Sequence, residues 1–227
     1  DFRVESNGNA NMLFVDGGND KIGIGVVPVQ GSLTIKSGGN TYATSALVLE
    51  DTDSTTRSYV SHINGALYFS NDGSTDHIIM DASGAVTMPA QPAFQVKPAS
   101  NQDNIAINDA VTVVFGTEIF DQNADFASNT FTAPVTGKYH LDVHLYIENI
   151  DTAADYYQLR LVTSNRTQYQ TMDFGGYSAD AVYGRLSLSI LTDMDASDTS
   201  TVIIQQVGGT SQTDVKDLSY FSGYLVA

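Results

Sequence analysis

Cysteine and tryptophan are both missing from this chain. Without cysteine there is no disulfide framework and no thiol nucleophile, so stability has to come from burial or from assembly. Charge is scarce as well: Asp, Glu, Lys and Arg make 16% of the 227 residues, against 42% hydrophobic, where globular chains carry about a quarter charged. The polar surface must then be built from Ser, Thr, Asn and Gln. What charge exists leans one way, with twenty-six acids against ten bases and a formal net of -16. Such a field repels phosphate backbones and argues against nucleic acid as a partner, while acidic loops would welcome divalent cations. No run reaches the roughly 18–20 apolar residues that a membrane-spanning helix needs. The G-x-S-x-G and H-E-x-x-H patterns are absent, as is any Gly-rich loop leading into a helix. The chain opens DFRVESNG, without Met or a basic-then-apolar leader, as expected of a processed chain or a part of a longer one.

What is present divides near Pro89–Pro92. Residues 1–90 hold eleven glycines and six aromatics, whereas 91–227 hold eight glycines and sixteen aromatics. The first part is rich in turns and poor in side chains large enough for a core. MPAQPAF (88–94) reads as a hinge, because each proline removes a donor and restricts its predecessor. ANMLFVDGGNDKIGIG (10–25) and GALYFSNDGSTDHIIMD (65–81) share one plan, a short apolar run, an Asp-Gly turn and a second run, which is a hairpin signature. SLTIKSG (32–38), ALVLEDTD (46–53) and SGAVTMP (83–89) add further short strands. Hairpins of that length are marginal alone, so they need cover from outside the segment: identical copies wound about a common axis would supply it, and an ordinary small β domain is the alternative. Two imperfect copies are a weak repeat.

The second part reads as a β-sandwich. Alternation predicts strands at AFQVK (93–97), AVTVVF (110–115), FTAP (131–134), KYHLDVHLYI (138–147), DYYQLRLVTS (155–164), AVYGRLSLSILTD (181–193), TSTVIIQQV (199–207) and LSYFSGYLVA (218–227). No segment has a helical period. Phe126, Phe131-Thr132-Ala133-Pro134, Gly137 and Tyr139, followed by the long strand and a terminal Phe221, Gly223 and Leu225, resemble the C1q/TNF-like jelly roll over about 93–227. The resemblance implies an all-β two-sheet jelly-roll head (91–227), a compact homotrimer, and partner binding through outer loops and grooves rather than catalysis. The front part (1–90), with GGNDKIGIG before SLTIKSGG, resembles the shaft segments of phage tail fibres and other virion appendages. Together they imply a trimeric viral fibre, extracellular and on the virion, whose partners are its own copies, other virion proteins and a host-surface polysaccharide or protein. The alternatives are a purely structural virion or matrix protein and a polysaccharide-degrading enzyme, whose two carboxylates no spacing reveals.

Candidate site residues follow from the strand period. His140, Asp142, His144 and Tyr146 share the face opposite Tyr139, Leu141, Val143 and Leu145, and are read as a subunit interface or polar surface. His140 to His144 spans about 13 Å, too far for one ion. At an interface, protonating these imidazoles at mildly acidic pH would weaken packing. DMDASD (193–198) offers Asp193, Asp195 and Asp198 as candidate calcium ligands, although calcium wants six to eight oxygens and a solvated turn is the plainer reading. DQNAD (121–125) and NDGSTD (71–76) are weighed alike. Phe174, Tyr177, Tyr169 and Asp173, in or near a Gly-rich loop, are candidates for receptor or glycan contact, with intersubunit packing as the alternative. Arg160 and Arg185, inside strands of so acidic a chain, are expected to pair with carboxylates near an interface rather than to form a basic patch.

Overall fold

The structure is a computed structural model and describes residues 2–27, 33–35, 39, 41, 46–50, 57–74 and 76–227. The remaining parts of SLTIKSG, ALVLEDTD and NDGSTD lie outside the described residues. Every regular element among the described residues is a β-strand, and the chain divides into two units, Asp1–Ala90 and Gln91–Ala227.

The first unit holds two sheets. In one, β1 (Phe2–Ser6), β2 (Asn9–Asp16), β3 (Lys21–Ile24) and β4 (Leu33–Ile35) lie side by side in chain order, the last pair parallel. In the other, β5 (Ala46–Glu50), β6 (Arg57–Ile63), β7 (Ala66–Ser70), β8 (Ile78–Met80) and β9 (Val86–Thr87) form an antiparallel meander. Asn64 and Gly65 link β6 to β7 with φ of 50° and 86°, the left-handed pair that a two-residue hairpin turn requires. Asp16 accepts the Gly18 and Asn19 N–H groups at 3.0 and 3.1 Å, bracing the β2–β3 turn. These sheets build almost no core. Ala66 is the one buried apolar side chain among the described residues of this unit, while Phe2, Leu33, Ile35, Leu49 and Val86 are each more than half exposed.

The second unit is a closed sandwich. Its strands begin with β10 (Ala93–Lys97), β11 (Val111–Thr112), β12 (Thr117–Asp121), β13 (Phe126–Ala127), β14 (Thr130–Thr132) and β15 (Gly137–Ile150). They continue with β16 (Ala154–Thr163), β17 (Thr167–Met172), β18 (Ala181–Met194), β19 (Thr199–Gly208), β20 (Asp214–Val215) and β21 (Tyr220–Leu225). One sheet runs β12-β10-β21-β15-β18, with β20 on β15; the other runs β13-β14-β19-β16-β17, with β11 on β19. The chain crosses repeatedly between the two sheets, which makes the sandwich a jelly roll.

Alternation decides the core. On β15, Tyr139, Leu141, Val143, Leu145 and Ile147 are buried and the residues between them half-buried. β16 repeats the pattern with Tyr157, Leu159 and Leu161, and β19 with Val202 and Ile204. Phe94 stacks on Phe131 at 4.6 Å and meets Phe221 edge-on at 5.0 Å. The Tyr139 hydroxyl donates to the Val135 carbonyl at 2.7 Å, which satisfies its one polar atom in a dry interior. Gly223 has no room for a side chain, since a Cβ there would lie 2.6 Å from Leu141 and 2.8 Å from Phe94.

Several sequence expectations need adjusting. AVTVVF contributes only Val111–Thr112 as strand, and the terminal strand stops at Leu225. Beyond it, Val226 still donates to the Lys138 carbonyl and Ala227 accepts from the Lys138 N–H. β12, β13, β17 and β20 are strands that alternation did not predict.

Candidate functional site

The outer face of the β15 sheet gathers the first candidate set. The register sets His140 beside Leu191 and Tyr224, Asp142 beside Ser189 and Ser222, His144 beside Ser187 and Tyr220, and Tyr146 beside Arg185. Arg185 Nη1 donates to His144 Nε2 at 2.7 Å. A guanidinium only donates, so the imidazole accepts at Nε2 and is neutral. Burial lowers the His144 pKa first and the Arg185 charge lowers it further, with Asp142 pulling the other way. Tyr220 stacks on the same imidazole at 5.5 Å and 11°. Arg185 also lies 5.0 Å above the Tyr146 ring, which stacks on Tyr183 at 5.4 Å. His140 shares a 3.0 Å hydrogen bond with Ser189 Oγ and packs against the Tyr224 ring. All four residues thus lie on one half-exposed face, dense in Tyr and Arg, the side chains that dominate protein contact surfaces.

The second set separates. Phe174 is only 5% exposed and meets Tyr157 edge-on at 5.5 Å. It pins the loop to the core and leaves almost no surface for a ligand. Tyr177 is 61% exposed above it, with ring centroids 5.7 Å apart. Asp173 accepts the Gly175 N–H at 2.7 Å, a local turn bond. Tyr169 is not in this loop at all. It sits on β17 opposite Arg160 of β16, 55% exposed, with the guanidinium 5.7 Å from its ring centroid.

Among the described residues neither strand arginine has a carboxylate within ion-pair reach. Arg160 Nε donates to Gln158 Oε1 at 2.7 Å and its Nη2 to Gln205 Oε1. Gln158 donates onward to Thr171 Oγ1 at 2.9 Å and Gln205 to the Asn108 carbonyl at 3.3 Å. Ion pairs in the second unit join Arg166 to Asp193 and Lys216 to Glu148 instead.

The acidic turns are already engaged. Asp193 binds Arg166 at 2.6 Å, and Asp198 Oδ2 accepts the Asp195 N–H at 2.9 Å and Asn165 Nδ2 at 3.1 Å. Asp121 accepts two backbone N–H groups, from Asp125 and Phe126. Among the described residues no three carboxylates or imidazoles converge on a metal-sized space.

Two carboxylates do share a small cleft, Asp151 and Asp180, lined also by Asn149, Ile150 and Ser211. Asp151 accepts N–H groups from Ala153, Thr210 and Ser211, and the bonds from Thr210 and Ser211 lead in lowering its pKa. Asp180 accepts both the N–H and the hydroxyl of Thr152. The lowered pKa of Asp151 is the reverse of what a general acid needs, and both carboxylates brace loops.

No family model matches the chain, and no curated protein does. Solved structures give distant, partial likenesses. The globular domain of zebrafish complement 1qA is 20% identical with a TM-score of 0.44, over 60% of this chain and 98% of that one. Murine APRIL, in structures at pH 5.0 and pH 8.0, is 10% identical with a TM-score of 0.43, over 60% of this chain and 99% of its own.

Proposed function

We propose that this chain is a non-catalytic recognition protein, a homotrimeric fibre component of a virion whose C1q/TNF-like second unit contacts a cell-surface receptor or glycan. The observation that carries the reading is the missing core of the first unit. Among its described residues the segment has one buried apolar side chain, with Phe2, Leu33, Ile35, Leu49 and Val86 exposed, and these residues lack the burial that offsets the cost of ordering a backbone. Full burial of such a side chain is worth about 1.5–3 kcal/mol, and covering the half that is still exposed gains roughly half of that, so a seam of them is a drive to associate. Copies of the same chain bring the same seam, which makes self-association the economical solution.

The second unit supports the recognition half of the reading. Its aromatic and aliphatic interior is well packed, its buried Asp151 is committed to backbone donors, and its outer faces carry Tyr, His, Arg and Gln. That composition suits contact with a partner and offers no activated nucleophile.

Native mass spectrometry of the full chain at micromolar concentration tests the assembly; three chains are expected, and a monomer overturns it. Adhesion of the labelled chain to intact cells tests the recognition, and a chain that adheres to no cell type overturns that half.

A further inference from the structure

The outer face of β16, β17 and β19 is poor in acids. β17 and β19 contain no Asp or Glu, and β16 contains only Asp155. In a chain with twenty-six acids, an approaching anion meets little repulsion from these strands. At its centre Arg160 has no carboxylate within ion-pair reach among the described residues.

Arg160 is also held still. Its Nε and one Nη2 proton are taken by Gln158 and Gln205, which are fixed in turn by Thr171 and Asn108. A guanidinium has five N–H donors, so three remain, two on Nη1 and one on Nη2. Those face a carboxylate in the two-pronged geometry that gives Arg its selectivity. Because the fork is pre-positioned, little rotamer entropy is lost on binding. Beside it stands Tyr169, exposed, with an aromatic face for the C–H side of a ring and a hydroxyl for hydrogen bonding.

We infer that this face binds a carboxylate-bearing sugar, the carboxylate on Arg160 and the sugar ring against Tyr169, with the Gln158 and Gln205 amides serving ring hydroxyls. The inference rests on the recognition reading above and names its ligand class. A free carboxylate would use Arg160 alone, whereas the neighbouring aromatic ring and the amide ladder match the alternating apolar and hydroxylated surfaces of a saccharide.

The test is calorimetric titration of the full chain with tetragalacturonate, with sialyllactose, and with the carboxyl-reduced neutral form of each. The expected result is binding of at least one acidic probe, at least tenfold weaker binding of its reduced form, and at least tenfold loss in Arg160→Gln and in Tyr169→Ala. Thr171→Glu, an exposed change that sets a new carboxylate beside the ladder, should cause a similar loss. Tyr177→Ala should change affinity less than twofold. Circular dichroism and melting temperature establish that each variant is folded. Equal binding of acidic and reduced probes, or acidic binding that survives Arg160→Gln and Thr171→Glu, overturns the inference and leaves the recognition reading standing. Failure to bind any saccharide overturns the inference, and the recognition reading falls with it only when adhesion to cells is absent too.

Discussion

Arg185 and His144 face one another across β15 and β18, guanidinium to imidazole, 2.7 Å apart. A cation that donates to a histidine holds that histidine neutral, so this pair stores a pH dependence in the outer face of the sandwich.

The sign follows from the lowered pKa of His144. Above the ordinary value of 6.5 the imidazole is neutral folded and unfolded, and the stabilising contribution is whole. As pH falls below 6.5 the unfolded chain binds the proton first, and the contribution is lost as pH drops through the lowered folded value. His144→Gln should therefore flatten the fall in melting temperature between pH 7 and pH 5 relative to the parent chain. Parallel melting curves for the two proteins across that range would count against the pairing.

Asp151 is 3% exposed and accepts three backbone N–H groups. Asp151→Ala strands those donors and should cost about 1–3 kcal/mol in urea unfolding at pH 7. Since the carboxylate pKa is lowered in the fold, the parent's advantage is full above the ordinary value of 3.8 and shrinks as pH falls through the lowered one. A penalty that stays constant down to pH 3 would refute that account.

Phe174 and Tyr177 neighbour one another in one loop and should respond in opposite ways. Phe174→Ala opens a cavity against Tyr157 and should lower stability by about 3–5 kcal/mol. Tyr177→Ala removes an exposed ring and should stay within about 0.5 kcal/mol. Chemical denaturation of the two variants checks this, and equal effects would mean that the loop is not pinned by Phe174.

Leu49 is 60% exposed and lines an apolar groove on the β5–β9 sheet with Val60 and Phe69. On the proposed self-association through the first unit, Leu49→Asp should lower the mass seen in light scattering while leaving the second unit's melting transition unchanged. An unchanged mass would remove this groove from the assembly seam.

The sandwich was legible in the sequence wherever a strand separates core from surface, because a two-residue period then writes burial directly into residue type. β15 is the clearest case, and the FTAPVTGKY segment places Phe131 and Tyr139 in the core and brings Gly137 against the chain's last residues. β17 escaped for the opposite reason. TQYQTM has no apolar alternation, since its inward Gln170 closes the sandwich edge by accepting the Ser187 N–H of β18 at 2.6 Å. A polar residue facing inward cancels the period that would reveal the strand, so Tyr169 stood out as a contact candidate in the sequence without its place on a strand opposite Arg160.

By itself the sequence determined an all-β chain with two unlike parts, a front poor in large apolar side chains and a β-sandwich rear, because turn residues, aromatic content and alternation are local quantities. The jelly-roll order entered only through the resemblance carried by the FTAPVTGKY segment. Only the tertiary structure decided what the polar and aromatic residues do. It buried Phe174, freed Tyr177, joined Arg185 to His144 and set Arg160 among amides beside Tyr169. Those pairings depend on strand order and register, which bring together residues up to 45 positions apart, and no short-range pattern carries that information.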